Sequence, residues 1–491
     1  MFVGRTEELG VLEDIWSGRS PKTCAVYGRR RVGKTTLVDR FCSDKKHIRF
    51  SFIRSTEEKN AAVMDSALAR YKGTGPLGLV SFQQALDVLS DVIAEDDIVV
   101  FMDELAYLIE QAPHVSSELQ HFIDRRLNGS GSMLIICSSA VSKIKAEIES
   151  EDRPLYGRFI NRIHVRQLQY WQCERMHPEM GREDALRTYM TIGGYPAYHE
   201  AIQDGSFRDM VVKRFLGPNA PLAEEAVSML SSELSPVPVI EAILLDISQG
   251  CTDAKRIAER EGISKALCGR YLRAMEELEI VGHVNPMANS DRRTKIYRIK
   301  DPLIGFWHMV LYRNLDISSS PNREAAFDAM GEDISTYLGF RFEDVCEEYM
   351  RRRFLCKGLG KWWGWTDGEV SDIDIVAEVV DGKERYAVLA ECRFRSRRAG
   401  ASVLEGLEFR SRFVKGYNNV RLMIFSGSGF TDELLEIAES RDDLELVSLD
   451  GLFPGWDRRR SVHPVRGRGF DALARGGHLP GRLGRFAICN L

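Results

Sequence analysis

The sequence predicts a multidomain α/β protein, and two observations support this prediction. The chain has 491 residues, too many for a single hydrophobic core, so about three domains are expected. From residue 1 to about 165, short apolar runs alternate with longer helical stretches, which is typical of a parallel sheet with helices on both faces. The runs that predict strands are Cys24–Tyr27, Ile98–Met102 and Met133–Cys137.

The composition is that of a globular protein, with 44% hydrophobic, 28% charged and 9% aromatic residues. A formal net charge of −5 argues against nucleic acid over the whole surface, although a local basic face can still bind it. The apolar runs are far shorter than a bilayer span, and the N-terminus does not resemble a secretory signal, so no membrane partner is expected. The ten cysteines form no CxxC pair, which favours reduced thiols in a cytoplasmic protein.

The segment Gly28–Thr35 fits the phosphate-binding pattern GxxxxGK[ST], and it lies between a predicted strand and a predicted helix. Glycine lets the backbone wrap around phosphates, while the N–H groups and the helix dipole hold negative charge. Lys34 is expected to reach the β- and γ-phosphates of ATP, and Thr35 to ligate Mg²⁺. The variable residues Arg29–Arg31 predict a basic rim. The candidate nucleotide contacts in this segment are Gly28, Arg31, Val32, Gly33, Lys34, Thr35 and Thr36.

Two carboxylates follow the second apolar run, as a metal-dependent hydrolytic site requires. Asp103 is expected to hold Mg²⁺ through water, and Glu104 to polarise the attacking water. The third run ends in Ser138-Ser139, and a polar residue there is a weaker candidate for a place between these carboxylates and the γ-phosphate.

The middle of the chain predicts a winged helix-turn-helix. A short helix at Thr252–Ala258, a turn and a second helix at Lys265–Glu277 precede two short strands. Within the candidate DNA-contacting segment 265–295, the basic residues would mainly contact phosphates, and the alternative is a domain that contacts only protein or clamps the ATPase lid. These basic residues are Lys265, Arg270, Arg273, Arg292, Arg293 and Lys295.

The C-terminal region has the layout of a PD-(D/E)xK nuclease fold. A helix is predicted to open at Arg341–Asp344, Lys361–Trp365 to precede a strand, and strands to carry Asp374 and Glu391. These two carboxylates, completed by Glu343, are expected to hold a divalent metal. Arg393 stands where a nuclease has lysine, and it cannot trade a proton at neutral pH. The segment 391–398 therefore predicts either a metal-dependent nuclease or a module that binds DNA or protein without cutting.

Several motifs together resemble the archaeal/bacterial AAA-type ATPase family, which is related to signal-transduction ATPases with many domains. They are Phe2–Leu9, the phosphate loop, Phe101–Leu105, Pro154–Arg158 and Gly193–Pro196. The resemblance implies that Val3 and Gly4 lie by the adenine, that Pro196 touches the base from the other side, and that Arg158 senses the γ-phosphate. If Arg158 acts on another copy, a homo-oligomer is needed. The C-terminal region looks like the domain of unknown function that accompanies this family.

The predicted organisation has six parts. They are an ATPase domain at 1–165, a helical lid at 166–231, the winged helix at 232–300, linker helices at 301–331, the nuclease-like domain at 332–457 and a basic tail at 458–491, interpreted as disordered or, alternatively, as binding nucleic acid. Three functions fit: an ATP-hydrolysing switch coupled to a DNA-engaging half, an ATP-dependent scaffold for protein partners, or an ATP-regulated nuclease.

Overall fold

The computed structural model describes residues 2–18, 21–290 and 295–454. These residues form a multidomain α/β protein with two five-stranded sheets and one two-stranded ribbon, joined by helices. The predicted tail at 458–491 and the predicted wing residues Arg292 and Arg293 lie outside the described residues.

The first sheet is parallel, with the strand order β2-β3-β4-β1-β5. The three apolar runs form β1, β3 and β4, which are buried along their whole length, and β4 lies between β1 and β3. The sequence prediction missed the edge strands β2 and β5, because only part of each is buried and neither reads as an apolar run. The strands are β1 Thr23–Tyr27, β2 His47–Ser51, β3 Val99–Asp103, β4 Met133–Ser138 and β5 Asn161–His164.

Helices cover both faces of this sheet, as the alternating pattern predicts. One face packs against α1 and α2, and the other against α3 to α7, giving two hydrophobic clusters. A π-helical turn at Ile123–Leu127 extends α6. The helices are α1 Thr6–Ser17, α2 Lys34–Cys42, α3 Glu57–Lys72, α4 Phe82–Glu95, α5 Leu105–Gln111, α6 Val115–Phe122 and α7 Val141–Glu149.

Five short helices follow β5, and a tight turn divides them. Gly193 has a φ of 72°, which ends α9, and Pro196 begins α10. A Cβ on Gly194 would lie 1.9 Å from the carbonyl oxygen of Leu168, so the turn packs directly against the chain after β5. These helices are α8 Tyr170–Cys173, α9 Arg182–Ile192, α10 Pro196–Ala201, α11 Phe207–Arg214 and α12 Glu225–Glu233.

Three helices and an antiparallel ribbon occupy residues 237–299. The Ser264 hydroxyl accepts a hydrogen bond from the Leu267 N–H and caps α15, which has the predicted bounds. The first helix of the predicted pair begins two residues later than expected, because Asp253 caps it. These elements are α13 Val237–Ser248, α14 Ala254–Arg260, α15 Lys265–Glu277, β6 Val281–Val284 and β7 Ile296–Ile299.

The second sheet has the order β12-β11-β10-β9-β8. The pairs β8/β9 and β9/β10 are antiparallel, whereas β10/β11 and β11/β12 are parallel. Before it, a π-helical turn at Trp307–Leu311 extends α16. The elements after the ribbon are α16 Pro302–Phe306, α17 Leu315–Ser318, α18 Arg323–Ala329, α19 Gly331–Arg353, β8 Cys356–Thr366, β9 Glu369–Asp381, β10 Glu384–Arg393, α20 Ala401–Ser411, β11 Val420–Ser426, α21 Asp432–Glu439 and β12 Leu444–Ser448.

Two predictions for this region were wrong. The helix α19 begins at Gly331, so Arg341–Asp344 lies in its middle and does not open it. Lys361–Trp365 lies inside β8 rather than before a strand. The side chain of Trp362 is buried in the core of the second sheet. The glycines that interrupt this stretch conceal its strand character.

In residues 2–18, 21–290 and 295–454, every helix is too short or too polar to span a bilayer.

Candidate functional site

The phosphate loop connects β1 to α2 at the carboxyl edge of the first sheet. Gly28 packs so closely that a Cβ would lie 2.2 Å from the carbonyl oxygen of Val165. Gly33 has a φ of 88° and turns the chain into α2, whose first residue is Lys34. The first N–H groups of a helix have no partner within the helix. The loop therefore presents backbone donors and a positive helix end to an anion.

A cavity of about 400 Å³ opens beside this loop. Glu104 and the Val3, Arg31 and Pro196 side chains line it together with the loop. A Cβ on Gly33 would lie 3.6 Å from Cγ of Pro196, so the N-terminal end of α10 packs against the phosphate loop. The sequence-predicted residues that line the cavity are Val3, Arg31, Val32, Gly33, Lys34, Thr35, Thr36, Glu104 and Pro196.

Gly4 and Gly28, also predicted as nucleotide contacts, are absent from the cavity lining. Both shape the backbone instead. Gly4 has a φ of 70°, and a Cβ there would lie 2.5 Å from Nε2 of Gln172. The next residue, Arg5, is buried and donates hydrogen bonds to the carbonyl oxygens of Val32 and Arg166, at 2.9 and 2.6 Å. The N-terminal segment is thereby fixed to the phosphate loop.

Lys34, Thr35 and Asp103 form the polar floor of the site. The Lys34 Nζ, 6% exposed, donates to the carbonyl oxygen of Arg29 at 3.0 Å. The Thr35 hydroxyl donates to Oδ2 of Asp103 at 3.0 Å, although the two residues lie on different elements. The other oxygen, Oδ1 of Asp103, is buried and has no hydrogen-bond partner. A hydroxyl next to a carboxylate with an unpaired buried oxygen fits a magnesium ion and its water.

Glu104 lies at the start of α5 with a φ of 57°, a left-handed conformation that is uncommon for glutamate. Its Oε2 accepts a hydrogen bond of 3.0 Å from the N–H of Ser139. Ser139 follows β4, the strand between β1 and β3, so the predicted polar strand end does contact the second carboxylate. The Tyr107 hydroxyl lies 3.3 Å from Oγ of Ser139.

Arg158 lies at the opposite edge of the first sheet. Its carbonyl oxygen accepts a hydrogen bond from Thr23, the first residue of β1, whereas the phosphate loop follows the last. Its guanidinium pairs with Asp124 at 2.9 Å. A strand of five residues spans roughly 13 Å or more. A role for Arg158 at a γ-phosphate would therefore require the nucleotide of a second copy of the chain.

The three arginines of the loop do not form a uniform basic rim, contrary to the prediction. Arg29 is buried and pairs with Asp301. Arg30 is exposed and donates to the Tyr107 hydroxyl at 2.6 Å. Arg31, 45% exposed, pairs with Glu225 of α12 at 2.9 Å. Each side chain reaches a different element because the loop turns sharply between them.

Two further site residues were missed by the sequence prediction. Arg49 of β2 donates to Oδ2 of Asp103 at 2.9 Å, and Tyr107 of α5 lines the cavity. Arg49 lies in β2, which is separated from β1 by α2. This edge strand has no continuous apolar run in the sequence. A single basic residue in a polar segment gives no sequence signal for this contact.

The C-terminal candidates Glu343, Asp374 and Glu391 are near one another, but each has a protein partner. Glu343 pairs with Lys361 at 2.5 Å, and the amide N–H of Cys392 donates to Asp374 at 2.9 Å. Burial raises the pKa of Glu343 to about 7, while Lys361 opposes the rise. The sequence prediction had no role for Lys361.

Glu391 lies between two arginines. It is 5% exposed and pairs with Arg393 and with Arg410 of α20. Burial, followed by the charge of Asp374, raises the pKa of Glu391 to about 7, while Arg393 and Arg410 lower it. Among the described residues, the group whose three ligand atoms lie within 4.8 Å of one another is Glu57, His114 and Glu118, not these carboxylates. The predicted convergence on one metal is thus not present in this arrangement.

The parallel sheet, the phosphate loop and the Thr35–Asp103 contact together define a P-loop ATPase domain. Residues 2–201 match the family model described as an ATPase domain predominantly from Archaea, and residues 307–403 match one described as archaeal and bacterial proteins of unknown function. The chain therefore carries an ATPase domain of this archaeal family joined to the C-terminal domain of unknown function.

Two relatives and two solved structures are similar to this chain over different shares of its length. An uncharacterized protein of Methanocaldococcus jannaschii is 26% identical over 405 residues, covering 80% of this chain and 88% of that protein. An uncharacterized ATP-binding protein of the same organism is 50% identical over 46 residues, covering 9% of this chain and 78% of that protein. The Walker-type ATPase of Pyrococcus abyssi is 19% identical with a TM-score of 0.49, covering 62% of this chain and 96% of that chain. A signal-transduction ATPase with a tetratricopeptide repeat sensor from Pyrococcus horikoshii is 15% identical with a TM-score of 0.28, covering 71% of this chain and 53% of that chain.

Proposed function

We propose that this protein binds ATP with Mg²⁺ at the phosphate loop, hydrolyses it, and uses the change to move the parts that follow the ATPase domain. The observation that carries the proposal is the contact between the Thr35 hydroxyl and Asp103 beside a cavity of about 400 Å³. The cavity has the size of a small-molecule site, Lys34, Thr35 and Glu104 line it, and Asp103 lies behind Thr35, to which it is hydrogen-bonded. That set matches the needs of a nucleoside triphosphate and its metal.

Each residue has a separate role in this proposal. Lys34 leaves the carbonyl oxygen of Arg29 and neutralises the β- and γ-phosphates. Thr35 would hold Mg²⁺ directly and Asp103 would hold it through water, and the ion would supply positive charge against the charge that develops on the phosphates. Glu104 orients the attacking water once its carboxylate leaves the Ser139 N–H. Pro196 and Val3 border the space for the base.

The remaining organisation of the chain belongs to the same proposal. We assign 166–231 to a lid over the nucleotide, 232–300 to a winged helix and 332–457 to a nuclease-like domain. Lys265, Arg270 and Arg273 are all exposed on α15, which supports contact with a DNA backbone. The alternative is a scaffold that binds protein partners without DNA. The contact of the Ser142 hydroxyl with Glu277 at 3.3 Å joins the end of α15 to the ATPase domain, which supports a winged helix that contacts protein.

We do not assign DNA cleavage to the C-terminal domain. Glu391 is held by two arginines and Glu343 by Lys361, so a metal would first have to displace partly buried ion pairs. Losing a partner of a buried charge costs roughly 3–5 kcal/mol. The domain is better explained as a module whose charged cluster stabilises its position against α19.

Substitution of Lys34 tests the assignment of the nucleotide site. Lys34→Ala should weaken ATP binding at least about tenfold, because a hydrogen bond from a charged donor contributes roughly 1.5–3 kcal/mol. Titration calorimetry with ATP and Mg²⁺ measures the effect. The matched control is Lys46→Ala, which removes a lysine that is 64% exposed and pairs with Asp96. Equal ATP affinity in Lys34→Ala and the wild type would remove the phosphate loop from the proposal.

A further inference from the structure

The Arg29 side chain leaves the phosphate loop and enters the interior between the ATPase domain and the later parts of the chain. Its Nη1 lies 2.7 Å from Oδ2 of Asp301, and the two side chains are 5% and 0% exposed. Its guanidinium carbon lies 5.5 Å from the ring centre of Tyr195, in the turn before α10. The two ends of the ion pair are 272 residues apart in the sequence.

Asp301 holds three elements at one point. It lies two residues after the end of the ribbon strand β7, and its Oδ1 accepts a hydrogen bond of 3.0 Å from the Ile304 N–H at the start of α16. Its Oδ2 also accepts from the Tyr195 hydroxyl at 2.6 Å. The carbonyl oxygen of Lys300, one residue earlier, accepts from Arg341 of α19 at 2.6 Å. A shift of Asp301 would therefore move the ribbon, α16 and the contact with α19 together.

Arg29 also touches the phosphate-binding lysine. Its carbonyl oxygen accepts the hydrogen bond from Nζ of Lys34, at 3.0 Å. In the proposed function Lys34 turns to the phosphates when ATP binds, so Arg29 loses this contact. Arg29 thus contacts Lys34 through its backbone carbonyl and contacts Asp301, at the start of α16, through its side chain.

We propose that the Arg29–Asp301 ion pair couples the occupancy of the phosphate loop to the position of β7 and α16, so that Asp301 is a positioning residue of the ATP-driven switch. This inference rests on the proposed function, and it names the contact through which the nucleotide acts on the C-terminal half. A buried charge that loses its partner is strongly disfavoured, so the loop and the segment after the ribbon have to move as a pair. Two sites are coupled when each of them shifts the equilibrium of the same structural element between two arrangements. In this proposal the Arg29–Asp301 ion pair is that element.

Hydrogen exchange on the full chain tests the coupling. The probe is a non-hydrolysable ATP analogue with Mg²⁺, and two segments are followed, the loop at 28–36 and the junction at 296–306. In the wild type the analogue should slow exchange in the loop and change exchange in the junction by about fivefold or more. In Asp301→Asn, which keeps a helix-capping side chain but no charge, the loop should still respond and the junction should not.

Two further variants separate coupling from simple damage. The double variant Arg29→Gln and Asp301→Asn leaves no unpaired charge, so it replaces the single variant if that one does not fold. It should also lose the junction response. Asp204→Asn is the matched control, because Asp204 is 5% exposed and pairs with Lys213 and Arg214 within the lid. It should keep both responses.

The outcomes distinguish the inference from the proposed function. A junction response that survives in both Asp301 variants, or a wild type whose loop responds while its junction does not, overturns the coupling and leaves nucleotide binding intact. Absence of a loop response in the folded wild type overturns the proposed function itself.

Discussion

His199 lies behind the turn at Gly193–Pro196, fully buried. Its Nδ1 is 2.7 Å from Nε2 of His177, and its Nε2 is 2.7 Å from the carbonyl oxygen of Gly193. The carbonyl can only accept, so we assign the proton of His199 to Nε2, and Nδ1 accepts from His177. Burial, followed by the neighbouring His177, lowers the pKa of His199 to about 3. The pair is neutral and fixes the turn that carries Tyr195 and Pro196.

The lowered pKa predicts loss of stability in acid. An unfolded histidine binds a proton near its ordinary pKa of 6.5, whereas folded His199 does so only near 3. The stability it contributes is therefore complete above about pH 6.5 and falls as the pH drops toward 3, by about 2 kcal/mol at pH 5. Urea unfolding at pH 7 and pH 5 measures this, with His199→Gln expected to lose less between the two values. The control is the exposed His121→Gln. The same pH dependence in His199→Gln and the wild type would contradict the explanation.

Functional residues can be identified from the sequence when they form one contiguous motif or follow the end of an apolar run. Lys34 and Thr35 belong to one segment, and Asp103 and Glu104 follow a buried strand, so their positions at one sheet edge follow from the parallel topology. Arg49 reaches Asp103 from another strand, and no local pattern marks it. Contacts set by tertiary packing alone leave no periodicity in the sequence.

At the scale of elements, α15 presents two different surfaces. Its exposed cations are Lys265, Arg270 and Arg273, whereas Ala274 and Leu278 border a second cavity of about 240 Å³ together with Tyr107 of the ATPase domain. The helix is thus placed to contact an outside partner with one surface and the nucleotide domain with the other. A change in the ATPase domain would alter the position of the basic surface.

The basic surface of α15 predicts salt-dependent DNA binding. Replacing Lys265, Arg270 and Arg273 with Gln should weaken binding of duplex DNA and lower the salt slope by about one per lost phosphate contact. A gel-shift titration at several salt concentrations gives both quantities. The control triple, Lys72, Arg125 and Arg126 to Gln, has the same composition and is also exposed. No binding by the wild type at low salt would favour the protein scaffold, and an unchanged slope in the α15 triple would place the DNA elsewhere.

Elements were predictable from the sequence where one pattern dominates. The bounds of α15 follow from its serine cap and its apolar face, and β1, β3 and β4 follow from continuous burial. The start of α19 was missed because the helix begins at a glycine and Met330 before it provides no side-chain cap, and its burial comes from packing against α9 and the ribbon. Tertiary contacts override weak local preferences in such segments.

Across the whole molecule, one hydrophobic cluster runs from a face of the first sheet through helices α8 to α15 to α19 and the second sheet. The predicted domains therefore share a hydrophobic core and are not connected only by flexible linkers. Polar contacts follow the same route, since Arg298 of β7 pairs with Asp344 of α19 at 2.9 Å, next to Glu343. Such packing transmits small displacements because close-packed interiors yield little. In the proposed function, a nucleotide at the first sheet would act on the C-terminal domain along this route.

ATP hydrolysis at the phosphate loop is tested by measuring ATP turnover of the full chain with Mg²⁺ and comparing it with that of Glu104→Gln. The wild type should hydrolyse ATP, and Glu104→Gln should bind ATP with similar affinity but turn it over about 10²–10⁴-fold more slowly, because it cannot orient or polarise the water. Glu110→Gln, which removes a 43% exposed carboxylate from the same helix, should leave turnover unchanged. Full turnover in Glu104→Gln would exclude Glu104 as the residue that orients the water, and no turnover in a wild type that binds ATP would show that the protein is not an ATPase.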